Sequence, residues 1–66
     1  MMISILKDMI DKAKYNEISV MMQGDNHSIK GTLLEVSITN NVFSMKTAYS
    51  DKCYYNAKYL TSITPL

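Results

Sequence analysis

The spacing of the apolar residues changes near residue 17, and this change constrains the fold more than any other feature of the sequence. Before it, apolar residues recur at intervals of three and four: Met2, Ile3, Leu6, Met9, Ile10 and Ala13. This spacing predicts an amphipathic helix over residues 2–14, with Asn16 as a residue that tolerates a left-handed helix end. After it, apolar and polar residues alternate, which indicates strands.

Five short strands are predicted after the helix, separated by turns rich in Gly, Asn, Ser and Asp. The strands are predicted at residues 17–23, from 29 to about 36, and at 42–47, 53–58 and 60–64. The turns between the first four are predicted at residues 24–28, 39–41 and 50–52. Gly31 falls inside the second strand, which predicts a bend or a close approach of two backbones. A bent antiparallel sheet closed into a small barrel is the economical fold for such a chain.

The length of 66 residues predicts one domain over residues 1–66, with the helix at about 2–14 and the sheet at about 17–65. A core of this size gives marginal stability, so such chains usually need an additional stabilising device. Cys53 is the single cysteine, which excludes an internal disulfide. His27 is the single histidine, and no ligand spacing predicts a metal or another cofactor. Self-association is therefore the predicted device.

The charge pattern is close to neutral, with seven Lys, no Arg and six acidic residues giving a net charge of +1. Most nucleic-acid-binding domains carry a clear basic excess, because neutralising phosphates supplies much of their affinity. No apolar run approaches the ~20 residues of a membrane-spanning helix, and no export signal is recognised. The lone cysteine and the missing export signal predict a cytoplasmic protein with no membrane association.

Three short segments occur in an order that is found in one known family. They are Ile-Ser-Val-Met-Met-Gln-Gly at 18–24, Ile-Lys-Gly-Thr-Leu at 29–33 and Tyr-Leu-Thr-Ser-Ile-Thr-Pro at 59–65. Together with the N-terminal helix, they resemble the Sm-like proteins, and among these the Hfq-like proteins. The resemblance implies a helix followed by a five-stranded, bent, Sm-like (SH3-like) barrel. It also implies RNA binding and a homo-oligomeric ring, in which the fourth strand of one subunit pairs with the fifth of the next.

The sequence departs from this family where the family binds uridine. The family's Asp after the bend is absent from the segment at 36–39. The aromatic residue that stacks on uridine in the family would fall near Thr39, which cannot stack. Lys58 keeps one basic donor before the last strand, while the histidine that usually accompanies it is missing. The resemblance therefore implies a ring-forming scaffold more directly than it implies the usual uridine pocket.

Tyrosines and lysines in the last third of the chain supply the candidate site. Strand alternation predicts Tyr55 and Tyr59 on one face with Cys53 and Ala57, and Tyr54 on the other. Bases stack on such rings while lysines bind phosphates, so the predicted RNA- or ligand-binding residues are Lys30, Lys52, Tyr55 and Lys58. Tyrosine is also common at subunit interfaces, and the predicted interface residues are Tyr54, Tyr59, Leu60 and Ile63. The sequence leaves both interpretations of the tyrosines open.

Enzymatic activity is not predicted, because no paired carboxylates, metal ligands or activated nucleophile stand out in the sequence. The predicted function is non-catalytic binding, with RNA as the ligand of an oligomeric ring. The alternative is a small protein-interaction or ligand-sequestering module without a nucleic-acid role. The short, Arg-free composition suits a phage or mobile-element accessory protein of that second kind.

Overall fold

One N-terminal helix and five antiparallel strands form the fold, as the sequence predicts. The computed structural model describes residues 2–12 and 17–66. The elements are α1 (Met2–Lys12), β1 (Glu17–Met22), β2 (Ile29–Ser37), β3 (Val42–Thr47), β4 (Ser50–Asn56), a 3₁₀ turn (Ala57–Tyr59) and β5 (Leu60–Pro65). The predicted last helical turn at 13–14 and the predicted stop at Asn16 lie outside the described residues.

Helix α1 has one buried face and one charged face. Ile3 and Leu6 are buried on the inner face, since a spacing of three residues places them on one side of the helix. On the outer face, Lys7 pairs with Asp11 and Lys12 with Asp8, each at 3.0 Å. Exposed pairs of this kind contribute only a few tenths of a kcal/mol each, so burial of the apolar face fixes the helix.

The strand order in the sheet is β4-β3-β2-β1-β5, and every neighbouring pair is antiparallel. Strands β1 to β4 follow one another as a meander, and β5 returns to the free side of β1. Within residues 17–66 no ladder joins β4 to β5. These two strands are therefore the edges of the sheet, and each has an unpaired side.

Local irregularities curve the sheet into a barrel-like form. The pairing register shifts in β2 between Leu33 and Glu35, and in β1 between Met21 and Met22. An extra residue in one strand of a ladder bends that strand and increases its twist. At Gly31, an added Cβ would overlap the carbonyl oxygen of Lys46 on β3. The predicted close backbone approach at Gly31 is confirmed.

Nine buried apolar residues from the helix, the strands and the 3₁₀ turn form one core. They are Ile3, Leu6, Ile18, Val20, Leu33, Phe43, Met45, Ala57 and Leu60. The strand members follow the alternation seen in the sequence, because neighbouring residues in a strand point to opposite faces. The chain thus buries one face of the sheet beneath α1.

The β3–β4 hairpin differs from the sequence prediction. The turn predicted at residues 50–52 is wrong, because these residues begin β4 and the chain reverses at Ala48 and Tyr49 instead. Ser50 pairs with Thr47, so the loop has only two residues. The Ser-Asp-Lys composition is typical of a turn, which explains the wrong prediction. The actual turn contains Tyr49, an aromatic residue that is 98% exposed and is not typical of turns.

Strand β4 also ends earlier than predicted, at Asn56 rather than Lys58. The Asn56 side-chain oxygen accepts a hydrogen bond from the Lys58 backbone N–H at 2.9 Å and caps the 3₁₀ turn. The Ala57 N–H donates to the Asn41 carbonyl at 2.8 Å, which ties this turn to the β2–β3 turn. The predicted shared face of Tyr55 and Tyr59 is therefore wrong, since Tyr59 lies beyond the end of the strand.

Candidate functional site

Strand β4 places two consecutive tyrosines on opposite faces of the sheet. Tyr55 is half-buried on the core side, and its ring centroid lies 5.4 Å from that of Phe43. Tyr54 lies on the other side and is 62% exposed. Each tyrosine borders its own cavity, which we call the Tyr55 cavity and the Tyr54 cavity.

The Tyr55 cavity is an open groove of about 550 Å³. It lies between the first residues of β2, the β3–β4 hairpin and β4. Its lining includes Lys30, Thr47, Tyr49, Ser50, Cys53 and Tyr55. The groove therefore combines two tyrosines, several hydroxyl-bearing residues and one lysine, over a mainly apolar floor.

Lys30 and Tyr55 are the two predicted binding residues that the structure brings together. Lys30 is exposed on β2, and among the described residues it takes part in none of the ion pairs. Burial raises the pKa of the Tyr55 phenol, and the neighbouring Cys53 side chain raises it further. The Tyr55 hydroxyl is therefore protonated at neutral pH and can donate a hydrogen bond.

Lys52 lies on the other side of the sheet from the Tyr55 cavity. Its ammonium group is bonded to the carboxylate of Glu35 on β2 and lies 5.3 Å from the centroid of the Tyr54 ring. The hydrogen bond to Glu35 is the main reason that the pKa of Lys52 is raised, and Tyr54 adds to it. The predicted binding residue Lys52 is thus engaged within the chain.

Lys58 is separate from both cavities. It lies in the 3₁₀ turn, and its ammonium group is 5.7 Å from the centroid of the Tyr59 ring. A lysine above an exposed tyrosine ring gains a weak cation–π attraction, on the order of 0.5–1 kcal/mol. The four predicted binding residues therefore occupy three places rather than one.

The predicted interface residues lie along the two sheet edges, in different environments. Tyr54 is exposed on β4, and Tyr59 is 46% exposed just before β5. Ile63 on β5 is half-buried and packs against the core. Leu60 is only 7% exposed and belongs to the core of its own chain, so its side chain offers little surface to a neighbour.

The Tyr54 cavity was not predicted from the sequence. It has a volume of about 250 Å³, and Glu35, Ser37, Asn40, Val42, Ser44 and Tyr54 are among its lining residues. Ser44 is fully buried, and its hydroxyl has no hydrogen-bond partner among the described residues. In the sequence Ser44 looks like a solvent-facing strand residue. Only its register, opposite Tyr54 on β4 and Glu35 on β2, explains the burial.

Comparisons with protein-family models, with curated proteins and with solved structures found no match to this chain. Within residues 2–12 and 17–66, no three His, Cys, Asp or Glu side chains are grouped so as to hold a metal ion. In the same residues, no helix has the length and apolar character needed to cross a bilayer.

Proposed function

We propose that this protein binds RNA without catalysis and assembles into a homo-oligomeric ring, as the resemblance to the Sm-like proteins implies. The observation that carries the RNA-binding proposal is the grouping of Lys30, Tyr49 and Tyr55 around one groove. Aromatic rings stack with any base, and a lysine neutralises the phosphate that follows it. No group in this groove points to bond-breaking chemistry.

The size and lining of the Tyr55 cavity support this proposal. Its volume of about 550 Å³ falls within the range of roughly 300–1,000 Å³ that is typical of ligand sites. Ser50 and Thr47 add hydroxyls that can bond to base edges or sugars. The lining therefore offers a nucleotide a stacking surface and polar partners, with a lysine at the same groove.

A ring would offset the weakness of a single site. One chain has a net charge of only +1, and Lys30 is the one charged residue that lines the groove. Repeating the groove around a ring lets one RNA strand bind several copies at once, which raises the overall affinity without new contacts. RNA binding and assembly are thus parts of one proposal.

The edge strands support assembly by pairing between subunits. Strand β5 has no charged side chain from Leu60 to Pro65, and charges are a common protection of exposed edges. Its length of six residues is close to the seven of β4. Pairing of β4 with β5 joins two different surfaces, so repeated pairing produces a closed ring when the rotation between subunits closes.

Native mass spectrometry of the purified protein tests assembly. We expect a defined multiple of the 7.5 kDa subunit mass. Ser62→Lys places a charge on the β5 edge and should shift the distribution toward the monomer. Thr39→Lys adds the same charge in the exposed β2–β3 turn and should leave the distribution unchanged. A wild-type protein that stays monomeric at every concentration would rule out the ring.

RNA binding is tested by fluorescence anisotropy with labelled oligonucleotides at several salt concentrations. Lys30→Ala should weaken binding and reduce the salt slope by about one per bound subunit. Lys46→Ala removes an exposed lysine from β3 that does not line the groove, so it should have a smaller effect. If no oligonucleotide binds at low salt, the RNA-binding proposal is wrong.

The alternative function is a small protein-interaction or ligand-sequestering module, and one observation favours it. Lys52 is bonded to Glu35, and Lys58 lies against Tyr59, so two of the three predicted site lysines already have intramolecular partners. A monomeric protein that binds no RNA, but binds a protein partner or a small ligand through the exposed Tyr49 loop, would support this alternative. Tyr49→Ser should then abolish binding of that partner or ligand.

A further inference from the structure

The Tyr54 cavity differs from the Tyr55 cavity in charge. Its one charged lining residue is Glu35, whose carboxylate is already bonded to Lys52 outside the lining. No lysine lines it, and the Lys52 ammonium group is already paired with Glu35, so a phosphate would find no unpaired positive charge there. A neutral ligand needs no counter-charge and therefore suits this lining better.

The buried hydroxyl of Ser44 gives this cavity an unused hydrogen-bonding group. A buried polar group without a partner is rare in folded proteins, because its lost hydration is not replaced. A serine hydroxyl both donates and accepts, and the nearby Asn40 side chain does the same with its amide. The cavity can therefore satisfy a ligand with donors and acceptors on adjacent atoms.

Tyr54 supplies an aromatic surface at the rim of the cavity. The Lys52 ammonium group lies over its ring, and most of the side chain is in solvent. Tyr54 stands opposite Ser44 in the β3–β4 ladder, and both residues line the cavity. A flat ligand in the cavity can therefore stack on the ring while its polar edge faces the serine.

We propose that the Tyr54 cavity binds an uncharged nucleobase, with the base against Tyr54 and its polar edge on Ser44 and Asn40. The volume of about 250 Å³ suits one base rather than a whole nucleotide. The proposal rests on the proposed RNA-binding function for the source of the base. A free nucleoside presents the same chemistry, and the experiment distinguishes these two sources.

The test is an NMR titration of the ¹⁵N-labelled protein with adenosine, guanosine, cytidine and uridine, each at millimolar concentration. We expect at least one nucleoside to shift the amide signals of Asn40, Ser44 and Tyr54. Ser44→Ala should weaken this binding by about threefold to tenfold, as expected for one lost hydrogen bond between neutral groups. Tyr54→Ala should weaken it about tenfold or more, because stacking is lost.

Matched variants separate the site from general effects. Tyr59→Ala removes another exposed tyrosine with a lysine above its ring but outside the cavity, so nucleoside binding should not change. Ser62→Ala is the corresponding control for Ser44→Ala. Equal losses in a variant and its control would contradict the proposal.

Two further arms identify the source of the base and separate this proposal from the RNA-binding proposal. If short oligonucleotides shift the same signals, the base comes from RNA, and if only nucleosides do, the ligand is a free nucleoside. Nucleoside binding that persists when no RNA binds would overturn the RNA-binding function while supporting this site. If none of the nucleosides or oligonucleotides shifts these signals, or if all shifts lie at the Tyr55 cavity, the proposal is wrong.

Discussion

Tyr54 and Tyr55 are consecutive in the chain, yet they have opposite surroundings. Tyr55 packs on Phe43 and borders a groove whose lining includes Lys30. Tyr54 lies mostly in solvent above a fully buried serine, beside an ion pair that neutralises itself. Identical side chains on one strand thus have different surroundings, because alternation gives them different neighbours on adjacent strands.

Gly31→Val is expected to have the largest effect on stability, because it disturbs the sheet that carries both tyrosines. Gly31→Val places a branched side chain against the Lys46 carbonyl oxygen, so β2 and β3 cannot keep their present approach. Overpacking against backbone should lower the free energy of unfolding by about 3 kcal/mol or more. Urea unfolding measures this, and Lys30→Val is the matched exposed control on the same strand. An unchanged unfolding midpoint for Gly31→Val would contradict the close approach of the two strands.

The second-largest expected effect is a difference in stability between variants of the two tyrosines. Tyr55→Ala removes a half-buried ring that contacts Phe43, and should cost about 2 kcal/mol of stability. Tyr54→Ala removes a mostly exposed ring and should cost about 0.5 kcal/mol or less. Thermal unfolding of the two variants under one condition checks the difference. Similar melting temperatures would mean that the faces are energetically equivalent.

Ser44→Ala should stabilise the protein in the absence of ligand. The variant removes a buried hydroxyl without a partner, and the gain should be about 1 kcal/mol. Ser62→Ala, at an exposed position on β5, should change stability by less than about 0.5 kcal/mol. A destabilised Ser44→Ala protein would show that the hydroxyl has a partner in solution.

The smallest effect concerns alkaline pH. The pKa of Tyr55 is raised above its ordinary value of 10.0 in the folded state, mainly by burial. The contribution of Tyr55 to the free energy of unfolding is therefore complete below pH 10 and is lost as the pH rises through the folded-state pKa. Tyr55→Phe should flatten this alkaline loss of stability, measured by urea unfolding between pH 8 and 11. The pKa of Lys52 is also raised, so Lys52→Met serves as the control for a contribution from that group. If stability falls with pH as steeply in Tyr55→Phe as in the wild type, the assignment to Tyr55 is wrong.

The sequence predicted those parts of the fold that depend on local pattern. The helix, the order of five strands and the close approach at Gly31 follow from spacing and from one glycine in a strand. The left-handed backbone at Asn41, with φ 57°, fits the predicted break at residues 39–41. The helix, the strands and this break depend on residues near one another in the chain, and the close approach to Lys46 was indicated by a glycine at a strand position.

The parts that were missed depend on contacts between strands. The true β3–β4 turn at Ala48 and Tyr49 contains neither glycine nor asparagine, so nothing in its composition indicated it. The pairing of Lys52 with Glu35 was not indicated, because Glu35 is distant in sequence and reaches Lys52 only across β3. The burial of Ser44 likewise requires knowing which residues stand opposite it. The sequence therefore predicted suitable types of residue for a site, but it did not predict which of them lie together in the fold.

The tyrosine pair on β4 also affects how precisely this strand can be aligned with β3. A shift of pairing by one residue exchanges the faces of a strand, and here it would place one tyrosine where the other had been. The neighbouring residues make the two shifted alignments unfavourable. One shift carries the Lys52 ammonium group to the position of Cys53, and the other places Asn56 where Tyr55 packs on Phe43. The residues flanking the tyrosines, together with the two-residue loop, therefore select the native alignment that the tyrosines alone leave undetermined.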